Sequence, residues 1–225
     1  MACCQARNEG EELAAAEILK INPTTPESTL IAYAAERIKA GQVVVMPTDT
    51  FYGLAVDPLN LRAVDRVYEI KTRSRHKPLS LLVESLDQAE DLADVGPDFQ
   101  MLARRFWPGP LTIIARASAR LPLRVTANTG NVALRVPAAE IPIAVIRKSG
   151  LPITATSANL SGASECTTAE EVRLQLGDRV PLIVDGGKSP RTVASTIVDL
   201  SDEDHGWRMI REGAISRDEV TEVLG

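Results

Sequence analysis

The stretch KTRSRHK, Lys71 to Lys77, packs four or five positive charges into seven residues of a chain whose net charge is −5. Cations suit a helix C-terminus, so a solvated helix end is one reading. The other is an anion site, because Lys71, Arg73 and Lys77 fall between a helix and a buried strand, and arginine offers phosphate a planar fork. A second stretch, MPTDTFYGLAVDP (46–58), leaves an apolar strand and presents Thr48, Asp49 and Thr50 before Tyr52 and Gly53. Open α/β sheets bind ligands at strand ends, and a plain polar connection is the alternative. PITATSANLSG (152–162) gathers hydroxyls, an amide and a glycine around Ser157 and Asn159. These residues make turns, and they also let a ligand approach the backbone. Arg135 stands in the apolar strand NVALRVP. A buried guanidinium is costly unless paired, so either an internal carboxylate meets it or it faces a cleft and clamps an anion. Ser195 and Thr196 open ASTIVDL, and Arg211 lies in MIREGAIS.

Other chemistry finds no pattern. His76 and His205 are the only histidines, and neither sits in a triad or zinc motif. There is no GxxxxGK[ST] loop and no GxGxxG fingerprint. Cys3, Cys4 and Cys166 fit neither a disulfide framework nor a zinc spacing and read as free thiols. An ATP enzyme with this inventory works by positioning and charge stabilisation, using Lys, Arg, hydroxyls and a metal ion. A pI of about 5.2 disfavours bulk coating of nucleic acid. No apolar run reaches eighteen residues and the N-terminus carries early acids, so the expectation is a cytoplasmic protein with no membrane contact.

The elements that must position these residues alternate. The 225 residues, 44% of them apolar, suit one large domain or one domain with an appendage. Residues 1–27 are expected to form a loose, partly helical extension. Ser28 is expected to cap a helix that stops at Gly41. Continuous apolar runs at 42–48 and 79–83 predict buried strands, with a helix over 61–71 between them. Further helices are expected at 86–94, 97–107, 141–150 and 169–178, and strands at 111–117, 131–137, 152–157 and 181–187. Ser85 with Gln88, and Ser216 with Glu219, read as capping boxes. The last strands, 194–200 and 207–212, share a short connection and so pair antiparallel. Pro108-Gly109-Pro110 reads as a rigid turn that seats Trp107 in the core, with no chemistry of its own. The class is α/β, with a twisted mixed sheet and flanking helices.

Taken in order, PTDTFYGLA, KTR…KPL, FWPGPLT, VALRVP, TSANLSG, STIVDL and IREGAI resemble the YrdC-type threonylcarbamoyl-adenylate synthases over roughly residues 28–216. The resemblance implies a YrdC-like catalytic domain over 28–225 with a concave, cationic face. It implies an enzyme joining L-threonine, bicarbonate and ATP, with Mg²⁺, into threonylcarbamoyl-AMP and pyrophosphate. A downstream tRNA threonylcarbamoyl transferase complex then consumes the product, and a weak contact with tRNA itself is a further expectation. By the same resemblance Thr48, Thr50, Arg135, Ala155 and Ser195 meet threonine. Lys71, Arg73, Lys77, Asn131, Ser157, Asn159 and Arg211 meet the nucleotide, with Lys71 and Arg73 catalytic and the metal ligands unassigned. Lying at an element boundary, Lys71 and Arg73 are expected to matter little to stability. Three departures stand out: Thr72 replaces a frequent glycine, Leu82 stands where some members carry histidine, and the chain stops at Gly225, as in the short form. The runner-up reading is a YrdC-like RNA-binding or ribosome-maturation module using the same concavity. A third is a relative of the domains that serve carbamoyl phosphate in larger carbamoyltransferases.

Overall fold

The computed structural model describes residues 16–202 and 205–225. Cys3, Cys4 and residues 1–15 of the expected extension lie outside the described residues. The chain opens with β1 (Glu17–Lys20) and α1 (Ser28–Lys39), then β2 (Val44–Met46) and β3 (Gly53–Ala55). Next come α2 (Leu61–Lys71), β4 (Ser80–Leu82), α3 (Leu86–Glu90) and α4 (Pro97–Phe106). β5 (Leu111–Arg116), α5 (Leu123–Thr126), β6 (Asn131–Arg135) and α6 (Glu140–Ser149) follow. The order closes with β7 (Ile153–Thr154), β8 (Thr156–Ser157), α7 (Ala169–Leu176), β9 (Leu182–Asp185), β10 (Thr196–Asp199), β11 (Arg208–Arg211) and α8 (Arg217–Leu224).

Two mixed sheets replace the single one expected, with strand orders β1-β9-β2-β3-β8 and β11-β10-β5-β6-β4-β7. The expected strand at 152–157 is two short strands, and they belong to different sheets. β7 pairs with β4 in one, and β8 pairs with β3 in the other. Between them Ala155 is fastened to Ser80: its N–H donates to the Ser80 carbonyl at 2.8 Å, and its carbonyl accepts from the Ser80 hydroxyl at 3.0 Å. The chain thus steps from sheet to sheet at one residue. β1 is a second difference, because part of the expected extension joins the first sheet in parallel register with β9. Ser28 is not a cap. Glu27 holds the N-cap position, with its carboxylate turned back to the Asn22 N–H at 3.0 Å. α3 ends at Glu90, four residues short of expectation. The final pair, β10 and β11, is antiparallel.

Why the strands carry continuous apolar runs is visible in the burial. Val45 of β2 and Ile183 of β9 enter the larger core, while Val44, Met46, Leu182 and Val184 enter the smaller one. Side chains alternate across a strand, so a strand covered on both faces needs apolar residues at every position. The smaller core is closed by Ile31, Ala34, Ala35 and Ile38 of α1 and by Ile141, Val145 and Ile146 of α6. Capping boxes at Thr168–Glu171 and Ser216–Glu219 start α7 and α8. Ser85 caps α3, with Gln88 accepting from Glu84 instead of completing the box.

The segment after β11 returns tightly to the start of β10. Thr196 is fully buried, and its hydroxyl donates to the Ile215 carbonyl while accepting from the N–H groups of Gly213 and Ile215. A Cβ on Gly213 would stand 2.3 Å from the Ala194 carbonyl oxygen and 2.7 Å from the Ser195 carbonyl carbon. Backbone on both sides leaves no flexible atom to yield. Gly213→Ala is therefore expected to cost about 1–3 kcal/mol, the range for overpacking, as a lowered urea midpoint. An unchanged midpoint would show that the return is looser than described.

Candidate functional site

A cavity of about 390 Å³ opens where the two sheets meet. Its walls include Thr48 and Thr50 from the β2–β3 connection, Arg73 and Lys77 after α2, and Arg135 at the end of β6. Ala155, Ser157, Ser195 and Arg211 complete the set of expected site residues that line it. Lys71, Asn131 and Asn159 do not line it. Four cationic side chains and one carboxylate, Glu165, border the same space.

Arg135 is 6% exposed, and the structure answers its two readings together. An internal carboxylate does meet it: Nη2 donates to Asp49 Oδ1 at 2.5 Å. Nε donates to the Gly109 carbonyl at 2.8 Å, and Nη1 to Thr50 Oγ1 at 3.0 Å. Three of its five N–H groups are so engaged, which leaves two, and the side chain still borders the cavity. The purely cleft-facing clamp is thereby corrected to a paired arginine with spare donors. Asp49 Oδ1 also accepts from the Ala138 N–H at 3.2 Å, while Oδ2 is buried without a partner. Burial pulls the Arg135 pKa down and the adjacent Asp49 charge opposes that fall.

The hydroxyls beside it have little to donate. Thr48 Oγ1 donates to the Phe51 carbonyl at 2.8 Å and accepts from the N–H groups of Thr50 and Phe51. Its 3.0 Å contact with Thr50 Oγ1 must therefore use the Thr50 proton. Thr50 is left with a lone pair, which suits a ligand that donates, such as an ammonium. Opposite Arg135 in the β4–β6 ladder, Leu82 adds an aliphatic wall.

Lys71 is 2% exposed and does not reach the cavity. Its ammonium donates to the Ser157 carbonyl, to the Asn159 carbonyl at 2.8 Å and to Asn159 Oδ1 at 2.9 Å. All three protons are spent fastening the TSAN stretch to the end of α2. Asn159 Oδ1 also accepts from the Ser157 hydroxyl at 2.7 Å, and its amide donates to the Ala163 carbonyl. Lys71 and Asn159 thus position Ser157. Burial lowers the Lys71 pKa to about 8, with Arg73 adding to the fall and Glu165 opposing it. Thr72 ends α2 in the left-handed region, φ 50° and ψ 42°, a conformation glycine adopts at less cost. That turn aims Arg73 at the cavity. Arg73 Nη2 donates to the Pro78 carbonyl at 3.0 Å, its Nε has no partner, and burial lowers its pKa.

On the far wall Arg211 donates twice to the Ser195 carbonyl, at 3.0 and 2.8 Å, and once to Ser195 Oγ at 3.2 Å. Ser195 Oγ meets Thr112 Oγ1 at 2.9 Å. Asn131 instead binds Ser201 Oγ at 2.9 Å, tying β6 to the end of β10. Sequence reasoning missed Gly109, whose carbonyl holds Arg135, because a Pro-Gly-Pro turn advertises only its shape. A Cβ on Gly109 would stand 2.3 Å from the Phe106 carbonyl oxygen. It also missed Glu165, which no motif marks. Asp49 was in view, but its partner lies 86 residues away.

The fold is shared with a known group of proteins. Residues 36–213 match the Sua5/YciO/YrdC family model, described as "Telomere recombination". The chain belongs to this family. It is 38% identical over 202 residues to a Pyrococcus abyssi protein named threonylcarbamoyl-AMP synthase, an alignment covering 88% of this chain and 58% of that protein. With the Bacillus subtilis protein of the same name, identity is 40% over 198 residues, covering 87% and 56%. The chain thus spans a little over half the length of these relatives. Among solved structures, P. abyssi Sua5 complexed with L-threonine superposes with a TM-score of 0.89 at 36% identity, covering 93% of this chain and 61% of that one. E. coli YciO superposes with a TM-score of 0.81 at 26% identity, covering 88% and 96%.

Two outcomes follow for the anchors. Asp49→Ala leaves the Arg135 charge buried and unpaired and should cost about 3–5 kcal/mol, whereas Arg135→Lys, which keeps the charge, should cost less. Equal urea midpoints for both variants and the parent would mean that the pair does not hold the sheets. Lys71→Ala takes a donor from three oxygens and leaves the buried Asn159 carbonyl without one, so it should cost about 1–3 kcal/mol, contrary to the expectation for an element boundary. A native-like melting temperature would restore that expectation.

Proposed function

We propose that this chain is the catalytic domain of a threonylcarbamoyl-AMP synthase. The observation that carries the reading is one cavity bordered at one end by Arg135, Thr48 and Thr50 and elsewhere by Arg73 and Lys77, in a chain 38–40% identical to proteins of that name. Such a cavity suits an amino acid beside a polyphosphate. Two spare N–H groups of Arg135 would take the threonine carboxylate, since a planar fork matches a carboxylate. The Thr50 lone pair would accept from the amino group. Ala155 and Ser195 would complete the threonine side. The TSAN backbone and Ser157, held by Lys71 and Asn159, would support the nucleotide with Arg73, Lys77 and Arg211.

The reaction balances without a protein nucleophile. The threonine nitrogen attacks the bicarbonate carbon and water leaves, forming a carbamate. A carbamate oxygen then attacks the α-phosphorus of ATP and pyrophosphate leaves. Negative charge grows on the phosphates as that bond breaks, and fixed guanidinium groups lining the cavity would stabilise it with little reorganisation. Mg²⁺ would travel with the triphosphate and neutralise part of its charge, and it prefers phosphate oxygens, water and one or two carboxylates. Lys71, reaching no ligand space, is a positioning residue in this account. The product, a reactive mixed anhydride, requires an acceptor enzyme, and a tRNA threonylcarbamoyl transferase complex fits that need. A weak direct contact with tRNA belongs to the same proposal.

The test is pyrophosphate release with ATP, bicarbonate and each of the twenty amino acids. Release should require threonine and bicarbonate, and Arg73→Ala should lower kcat/KM about 10²-fold or more with little change in melting temperature. Orthophosphate as the product, or release indifferent to threonine, would contradict the proposal.

A further inference from the structure

We propose that Glu165 carries the divalent cation accompanying the triphosphate in the central cavity, directly or through one of the cation's waters. This rests on the reading that the cavity takes ATP. Glu165 lies between β8 and α7, is half-buried, and is the one carboxylate among the described residues lining the cavity. The other charged lining residues are Arg73, Lys77, Arg135 and Arg211. Yet Glu165 pairs with none of them: among the described residues its carboxylate makes no hydrogen bond and no ion pair. Its through-space influence is on Lys71 and Cys166. Lys71 cannot neutralise it by contact, having given all three protons to Ser157 and Asn159.

A free carboxylate in a polyphosphate site is a liability unless something positive sits between the two. Phosphates held on Arg73 and Lys77 would face Glu165 as a like charge, and a partly enclosed cavity screens that repulsion poorly. A divalent cation turns the repulsion into coordination. The donor set fits Mg²⁺, which keeps several waters and takes one or two carboxylates along with phosphate oxygens. It fits no all-protein cage, since no group of three or more His, Cys, Asp or Glu among the described residues could hold a metal. Two other jobs would also use a carboxylate here: a counter-charge for Lys71, or an acceptor for a sugar hydroxyl. Neither depends on the metal, and that separates them.

Glu165→Gln keeps the shape and removes the charge. Binding of a non-hydrolysable ATP analogue is measured by calorimetry in EDTA and across a Mg²⁺ titration, and Mn²⁺ binding to the complex by electron paramagnetic resonance. The Mg²⁺ concentration for half-saturation should rise about 10-fold or more, the scale for losing a group that supports a metal. Analogue affinity in EDTA should hold or improve, because a repelling charge is gone. Glu165→Asp should restore most of the metal response. An equal loss of affinity with and without Mg²⁺ would overturn the assignment in favour of the metal-independent jobs, and no change in either condition would overturn it outright. If the parent chain binds the analogue in neither condition, the ATP reading falls and the assignment falls with it. If Glu165→Gln fails to fold, Glu165→Ala takes its place: Mn²⁺ spectra and affinities identical to the parent's overturn the assignment, and a weaker, altered Mn²⁺ signal supports it.

Discussion

The Arg135–Asp49 ion pair ties the two sheets together at the point where the cavity forms. Arg135 ends β6 in one sheet, and Asp49 sits just beyond β2 in the other. Burying both charges is expensive, and Gly109, Thr50 and Ala138 offset part of the cost with further bonds. A well-packed apolar pair could hold two sheets as firmly. An apolar pair would not leave two N–H groups beside a cavity. The ion pair therefore makes sense as a device that fixes a guanidinium in place before any ligand arrives.

Lys71 plays the matching part at another wall. Its helix delivers an ammonium to the TSAN stretch, where three oxygens take its protons, and the left-handed Thr72 then turns Arg73 toward the open space. Two cations of one motif, two residues apart, thus divide the labour, one holding the wall and the other facing the cavity. Arg211, fastened to Ser195 by three bonds, repeats the arrangement opposite. Groups held this way need little reorganisation when charge develops, which is the condition under which fixed electrostatics accelerates a reaction.

Much of this was legible in the sequence where the signal was local. Continuous runs such as VVM and LIV implied strands buried on both faces, and they line two cores. The Ser216–Glu219 box and the antiparallel final pair are short-range features and appear as read. What periodicity does not carry is partnership between distant strands. PITATS looks like one strand because nothing in six residues says that Ala155 changes sheets. The same limit governs the site. Arg135 announced a buried charge, but which carboxylate met it depended on a contact 86 residues away. Lys71 and Arg73 look equivalent as cations and diverge only because one lies inside the last turn of α2 and the other beyond it. Glu165 sits in a polar loop whose composition resembles any other.

The central claim is that Arg135 is fixed by Asp49 and still free to receive a carboxylate. A crystal structure of the chain with L-threonine bound tests it most directly. The account predicts the amino-acid carboxylate within hydrogen-bonding distance of Arg135, the amino group toward Thr50, and the Asp49–Arg135 pair unbroken. Threonine seated instead against Arg73 and Lys77, or Asp49 displaced from Arg135 by the incoming carboxylate, would contradict it.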